Sequence, residues 1–320
     1  MNDPNAIAVI IPAYNASATI SRAVISALRE PEVAEVIVVD DESVDDTIAE
    51  AKSVDDGTGR LKIVKLIINK GPSGARNRAI IESTAPWISI LDSDDFLMPG
   101  RFKPLLELAD KADFIADDMW QVMENKTGDL RKSLFGDLIK EPRTISFAQF
   151  VRSNVTRNNR YRCELGFIKP IMRRRFLETH QLRYRETMRL GEDYELYARA
   201  LACGARLMLT PNRGYVSVMR SNSLSGEHSS DDLLQLRNCD ESLSGMAGLT
   251  DNDRRALREH YLSTDCRLQW RLLIEAVKRR HFSSALETFQ RPHPIPLFLL
   301  SKLAQECFVR IGRFFGFKHA

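Results

Sequence analysis

The chain has 320 residues, 43% hydrophobic and 28% charged, and a formal net charge of +3. That is the make-up of a soluble globular protein with room for one large domain or two ordinary ones. The small net charge gives no nucleic-acid signal, and the absence of any run of 18 apolar residues excludes a plain membrane-spanning helix.

The charge is unevenly spread. Residues 254–320 carry 13 Lys and Arg against 5 Asp and Glu, a net of +8, so residues 1–253 carry −5. An acidic body with a basic tail predicts a tail that meets an anionic surface. The five cysteines, Cys163, Cys203, Cys239, Cys266 and Cys307, are scattered without ligand spacing, which predicts reduced thiols in a cytosolic setting. No charged-then-apolar leader precedes the first strand-like run, so no signal peptide is expected.

In chain order, Ile7–Ile11 predicts a buried strand, and "NASATISRAVISALRE" a capped helix with Ile20, Val24, Ala27 and Leu28 on one face. Val36–Val39 predicts a second strand, Asp45–Ala51 a short helix, and Leu61–Ile67 a third strand. "GPSGARNRAIIES" opens another helix, and Trp87–Leu91 is a fourth strand. Strands alternating with helices predict a right-handed, parallel α/β sheet covered on both faces. Residues 121–165 lose this rhythm and read as loops and short helices on the acceptor side. "GEDYELYARALACG" (191–204) predicts a helix ended by Gly204, and the chain from Asp251 is helical. Its last piece places Leu299, Leu300, Leu303, Cys307, Ile311 and Phe314 on one stripe, with Lys302, Glu306, Arg310 and Arg313 largely opposite. That pattern is an amphipathic helix over 297–317.

Ligands of an open α/β sheet bind beyond the carboxyl ends of its strands. Each early strand here runs into a polar cluster at that end. These are Pro12, Tyr14 and Asn15, then "DDES" (40–43), then "NKGPSGARN" (69–77), then "DSDD" (92–95). Any one of them alone also reads as a turn. Four at the same topological position predict one composite site. Tyr14 can stack on a base, and Asp41 can accept hydrogen bonds from a base or ribose. Lys70 and Arg76 can pair with phosphate. The carboxylates of "DSDD" repel one another and suit a hard cation, Mg²⁺ or Mn²⁺, that bridges to a nucleoside diphosphate. Asp193, in "GED" at a helix start, has a capping reading and a general-base reading. Arg220, Ser223 and Ser225, in "MRSNSLSG", offer donors for a diphosphate or form an ordinary polar loop.

Taken together, "VIIPAYNA" (9–16), "VIVVDDESVDDT" (36–47), "NKGPSGARNRAI" (69–80), "LDSDD" (91–95) and "LGEDYELYARAL" (190–201) resemble the family 2 inverting glycosyltransferases of the GT-A fold. "PEVAEVIVVDD", "GFIKPIMRRRF" and "RLGEDYELYARAL" resemble, within that family, bacterial succinoglycan-type exopolysaccharide glucosyltransferases. The resemblance implies a GT-A catalytic domain over 1–230, with a nucleotide-binding half to about residue 120. A helical, basic region would fill 231–320. It implies a UDP-sugar donor, UDP-glucose in those relatives, a lipid-linked oligosaccharide acceptor and a divalent metal. It assigns Pro12, Tyr14 and Asp41 to the uridine, and Lys70 and Arg76 to the nucleotide pocket. Asp92 and Asp94 match the DxD pair, with Asp94 the metal ligand. Asp193 matches the catalytic base, and Arg220 and Ser225 a loop over the diphosphate.

The sequence departs from the pattern where relatives carry a His before the Ser-Leu-Ser of that loop. Ser221 and Asn222 stand there, with His228 just beyond. The QxxRW motif of processive synthases is absent, which favours a single transfer per encounter. A cytoplasmic protein held peripherally at the inner-membrane face is expected from the basic tail and its helix, with packing of that helix on the catalytic domain as the alternative. Other classes predict other features. A sugar-nucleotide nucleotidyltransferase needs a Gly-rich basic loop after the first strand, which "PAYNASAT" does not provide. A phosphatase with a nucleophilic Asp leaves "DDES" and "GED" unexplained. A dehydrogenase needs GxGxxG at the first turn. A non-catalytic, transferase-like scaffold would tolerate loss of Asp94 and Asp193.

Overall fold

The computed structural model describes residues 3–124, 132–136, 139–155, 164–219 and 228–314. The first strand, β1 (Ile7–Ala13), is buried at all seven positions. It leads to α1 (Ile20–Leu28), whose Ile20, Ala23, Val24, Ala27 and Leu28 form one buried stripe. Next come β2 (Val33–Asp40), α2 (Thr47–Ser53), β3 (Leu61–Lys65), α3 (Gly71–Glu82) and β4 (Trp87–Ile90). Then follow β5 (Phe96–Leu97), α4 (Phe102–Leu106), β6 (Phe114–Met123), β7 (Lys132–Ser133), β8 (Arg143–Ile145) and α5 (Phe147–Ser153). The remaining elements are β9 (Ile171–Arg173), α6 (Arg174–Thr179), α7 (Glu192–Ala202), β10 (Leu207–Met219), α8 (Ser230–Ser244), α9 (Asp251–Lys278), α10 (Phe282–Glu287) and α11 (Ile295–Phe314).

The strands form one mixed sheet in the order β3-β2-β1-β4-β9-β6-β10-β5, with β7 beside β6 and β8 beside β10. The first four strands of this order are mutually parallel, as the alternating pattern predicts. β9 is antiparallel to both β4 and β6, and β6 pairs in parallel with β10. Six of the ten strands thus run one way, with short β9 reversed at the centre and β5, β7 and β8 reversed at the margins. The reversal of β9 brings the chain just before it to the carboxyl end of β4.

Three local expectations change in the structure. The third strand stops at Lys65 rather than Ile67, because β2, its only neighbour among the described residues, ends at Asp40, paired with Lys65. Ile67 and Ile68 beyond it are exposed. The cap expected for α1 is missing: Thr19 stands at the N-cap without a side-chain hydrogen bond, and Asn15 lies further upstream. It takes a left-handed conformation and binds the loop after β2 instead. Within 121–165, the described residues hold the end of β6, strands β7 and β8, and α5, so strands stand where only loops and short helices are expected.

One apolar core runs from Ile7 to Leu257 and includes Leu236, Cys239 and Leu243 of α8 with Ala256 and Leu257 of α9. A smaller cluster holds Cys266, Leu273, Ala276, Ala285, Ile295 and Leu299. The first turns of α11 are thus seated on α9 and α10. Beyond them Leu300, Leu303 and Phe308 are exposed. Among the described residues no helix is long and apolar enough to cross a membrane.

Candidate active site

The carboxyl ends of β1, β2 and β3 are laced by side chains reaching between loops. Pro12 is buried opposite Val39, while the ring of Tyr14, just past β1, is exposed. The Asn15 amide donates to Ser43 Oγ at 2.9 Å, and its Oδ1 accepts from the Val44 amide at 3.0 Å. Asp41 is buried. Its Oδ1 accepts from the Lys70 amide at 2.7 Å, and its carbonyl accepts from Asn69 Nδ2 at 2.9 Å. Burial raises the Asp41 carboxyl above its ordinary range, against the lowering effect of the Lys70 and Gly71 amides. The Lys70 side chain is exposed at the start of α3. Tyr14, Asp41 and Lys70 thus border one edge of the sheet, with ring and ammonium open to a ligand.

Two residues past β4, Asp92 begins the carboxylate turn. Its Oδ1 is 2.9 Å from Arg76 Nη2, and its Oδ2 is 2.9 Å from Lys169 Nζ. Lys169 also donates to Asp193 Oδ2 at 2.8 Å. Arg76 Nη1 donates to Glu192 Oε1 at 2.8 Å and lies 3.7 Å from Asp193 Oδ1. Asp92, Lys169, Asp193 and Arg76 close a ring of alternating charge. Burial raises the Asp92 carboxyl, but Lys169 and Arg76 outweigh it and hold that group well below the carboxylate range. Burial lowers the Lys169 ammonium, and Asp193 and Asp92 more than reverse that.

Asp95 has a different fate. It is buried, its Oδ2 accepts from the Tyr215 hydroxyl at 2.7 Å, and its Oδ1 accepts from the Val218 amide at 2.8 Å. Burial, then the charges of Asp92 and Asp94, push its carboxyl up to about 8. The Tyr215 oxygen in turn accepts from the Asp92 amide at 3.2 Å. The turn is thus bolted to β10. On its other side, an Arg22 guanidinium nitrogen donates to the Asp94 carbonyl.

Of the residues singled out in the sequence, the structure joins Arg76, Asp92 and Asp193 directly and places Asp94 on the same turn. Arg76 differs from the expectation of a phosphate ligand: its guanidinium is buried and committed to carboxylates. Arg220 and Ser225 lie outside the described residues. Lys169, Glu192 and Tyr215 were not anticipated. The signal for Lys169 was a lone charge inside the apolar run "GFIKPIM". The positive charge demanded by "DSDD" is therefore partly supplied by the chain itself. As for a divalent metal, no group of three or more His, Cys, Asp or Glu side chains is gathered among the described residues. The donor set nonetheless fits a hard cation shared with a ligand. Asp94 and Asp92 give two carboxylates on one turn, and Mg²⁺ commonly takes only one or two from protein, the rest from phosphates and water.

Comparison with known proteins bears on the family and the fold. The succinoglycan biosynthesis protein ExoU of Rhizobium meliloti is 44% identical over 296 residues, covering 92% of this chain and 85% of its own. The UDP-Glc:alpha-D-GlcNAc-diphosphoundecaprenol beta-1,3-glucosyltransferase WfgD of Escherichia coli is 33% identical over 102 residues, 32% of this chain and 40% of its own. The crystal structure of S. aureus TarS 1-349 in complex with UDP-GlcNAc matches at a TM-score of 0.66 and 16% identity, over 89% of this chain and 90% of that one. At that identity the likeness shows the GT-A fold. The family model "Glycosyl transferase family 2" matches residues 8–188, the stretch that supplies β1 to β4, the carboxylate turn and Lys169. The chain belongs to glycosyltransferase family 2.

Proposed function

We propose that the protein moves a hexose, glucose by the relatives' chemistry, from a UDP-sugar to a hydroxyl of a lipid-linked oligosaccharide in exopolysaccharide biosynthesis. The anomeric configuration inverts. The observation that carries this reading is the meeting of Asp193, from the start of α7, with Asp92, from the end of β4, across Lys169 and Arg76. A base for the acceptor and the turn for the donor diphosphate thereby share one site. The name of WfgD pairs a UDP-glucose donor with a lipid-linked acceptor, and that of ExoU places it in succinoglycan synthesis.

In this reading Tyr14 stacks on the uracil, Pro12 walls the pocket, and Asp41 accepts from the nucleoside. Lys70, Arg220 and Ser225 attend the diphosphate, and Arg76 orders the carboxylates below it. Asp193 takes the proton of the acceptor hydroxyl as its oxygen attacks the anomeric carbon. The bond from that carbon to the UDP oxygen breaks, and its electron pair leaves with UDP. A single carboxylate suffices because no covalent intermediate forms. Mn²⁺ or Mg²⁺ held by Asp94 and Asp92 supplies charge neutralisation on the diphosphate when bound.

We assign residues 1–230 to the catalytic domain and 231–320 to a helical region whose last helix, α11, serves the membrane surface. Support comes from the basic balance of residues 254–320 and from the exposed Leu300, Leu303 and Phe308 on α11.

Calorimetric titration with UDP and UDP-glucose, in Mn²⁺ or Mg²⁺ and then in EDTA, tests the donor site. Metal-dependent binding that Asp94→Ala abolishes is expected. Asp193→Asn is expected to keep UDP binding and to lower turnover by about 100-fold or more. Absence of UDP binding under every metal condition overturns the reading.

A further inference from the structure

Lys169 has no part in the chemistry derived so far, yet it sits between the donor turn and the base. Its side chain is 9% exposed, and its ammonium reaches Asp92 Oδ2 at 2.9 Å and Asp193 Oδ2 at 2.8 Å. Burying an ammonium is costly unless it is paired with good geometry. Here the pairing is double, and the backbone that delivers it is braced. Ile168 before it is fully buried, and Pro170 after it fixes the backbone. The Lys169 carbonyl accepts from Arg101, which is itself buried. Arg101 pairs with Asp117 at 2.8 Å and donates to Ser89 Oγ at 3.2 Å. A platform spanning β4 and β6 therefore holds Lys169 just before β9.

The two oxygens of Asp193 are engaged unequally. Oδ2 accepts a charge-assisted hydrogen bond of 2.8 Å from Lys169. Oδ1 has the Tyr197 hydroxyl at 3.5 Å and Arg76 at 3.7 Å, both at or beyond the outer limit for a hydrogen bond. One oxygen is pinned, and the other is loosely held beside Arg76, the Tyr197 hydroxyl and the buried Tyr184 hydroxyl that faces the same carboxylate.

We propose that Lys169 is a positioning residue for the transfer step: it holds Asp193 by Oδ2, so that Oδ1 receives the proton of the acceptor hydroxyl. This rests on the reading of Asp193 as the base. Through Asp92, the same ammonium fixes the spacing between the base and the donor turn. Lys169 itself neither gains nor loses a proton. The proton passes from the acceptor oxygen to Asp193 Oδ1, and the bond to UDP breaks as before.

The test uses the full chain with UDP-glucose and Mn²⁺, reading UDP release with water as acceptor. Lys169→Met keeps the length and removes the charge. Its kcat is expected to fall about 100-fold, with KM for UDP-glucose changed by no more than about 3-fold. Lys169→Gly is expected to regain turnover in ethylammonium and not in ethanol, a cation-specific rescue that a packing role does not produce. A kcat for Lys169→Met within about 3-fold of the parent overturns the proposal. Should that variant fail to fold, Lys169→Arg decides. It keeps the charge and the fold but cannot set one point charge between both carboxylates. A kcat about 10-fold lower at unchanged thermal stability is expected, and an unchanged kcat overturns the proposal. Asp193→Asn is measured in parallel. If it keeps full turnover, the base reading fails and takes this proposal with it. If it is inactive while the Lys169 variants turn over normally, this proposal alone fails.

Discussion

Asp92, Asp94 and Asp95 crowd three carboxyl groups into four residues, and the structure gives them separate environments. Asp92 is ionised by its two cations, whereas Asp95, turned toward Tyr215 and Val218, is held neutral at pH 7 by burial and by its acidic neighbours. This makes a prediction about pH. The folded Asp95 carboxyl titrates at about 8 against an ordinary value of 3.8. Its folded form therefore keeps a proton that the unfolded form gives up. The stability it contributes is full below pH 3.8 and is lost as pH rises to 8, then levels off. Asp95→Asn, which can donate to Tyr215 and accept from Val218, removes that loss. In EDTA, the Tm of the variant minus that of the parent is expected to grow from pH 5 toward pH 8 and then to flatten. A difference that stays constant with pH contradicts the neutral assignment.

At the scale of elements, α7 is what carries Asp193 to the carboxylate turn, and its start is set by Gly191. That residue has φ +71°, and a Cβ there would lie 2.7 Å from Leu236 Cδ1. Both facts oppose a side chain. Gly191→Ala is expected to destabilise the fold by about 1–2 kcal/mol and to lower kcat by more than that stability loss accounts for, since the helix start moves with Asp193. Denaturant unfolding beside steady-state kinetics checks the pair. The same first turn of α7 is tied to the C-terminal helices. The Tyr194 hydroxyl donates to Asp240 Oδ1 at 2.9 Å, and His260 Nδ1 lies 2.7 Å from Asp240 Oδ2, all three groups buried. The Tyr194 and His260 rings stack with centroids 4.4 Å apart. Tyr194→Phe keeps the stack and leaves Asp240 Oδ1 short of a donor. A loss of about 1–3 kcal/mol in unfolding free energy is expected. So α8 and α9 are braces for α7 as well as neighbours of it.

At the scale of the whole molecule, α11 has two parts. Ile295 and Leu299 are buried against α9 and α10, while Leu300, Leu303, Cys307 and Phe308 are exposed. Removing residues 292–320 would strip Ile295 and Leu299 from the small cluster, so a cut after Lys302 is the cleaner probe. The shortened protein is expected to stay folded and to lose sedimentation with vesicles of anionic phospholipid. In the full chain, Cys307 is expected to react with a thiol reagent in solution and to be shielded by those vesicles. Cys266, whose thiol burial pushes up to about 11, is expected to stay unreactive in both. Equal vesicle binding with and without residues 303–320 contradicts a membrane role for this helix.

The sequence by itself determined the parallel first half of the sheet, the polar clusters at the ends of four strands, the helix at 191–204 and the amphipathic end. Each of these follows from periodicity and turn chemistry among near neighbours, so it is written within a window of some ten residues. Only the tertiary structure decided who faces whom. Arg76 and Glu192 meet across 116 positions, Lys169 reaches Asp193 across 24 positions, and it reaches Asp92 because β9 pairs with β4. The sequence marks Lys169 only as a charge in an apolar run. Its role depends on carboxylates that come close once the sheet has closed around them. The same holds for Arg76, which reads as a phosphate ligand by its position in "NKGPSGARN" and is turned inward by three acidic groups from two other elements. Buried charges choose partners by the Coulomb energy and desolvation of the folded interior, and neither quantity exists until the chain is compact.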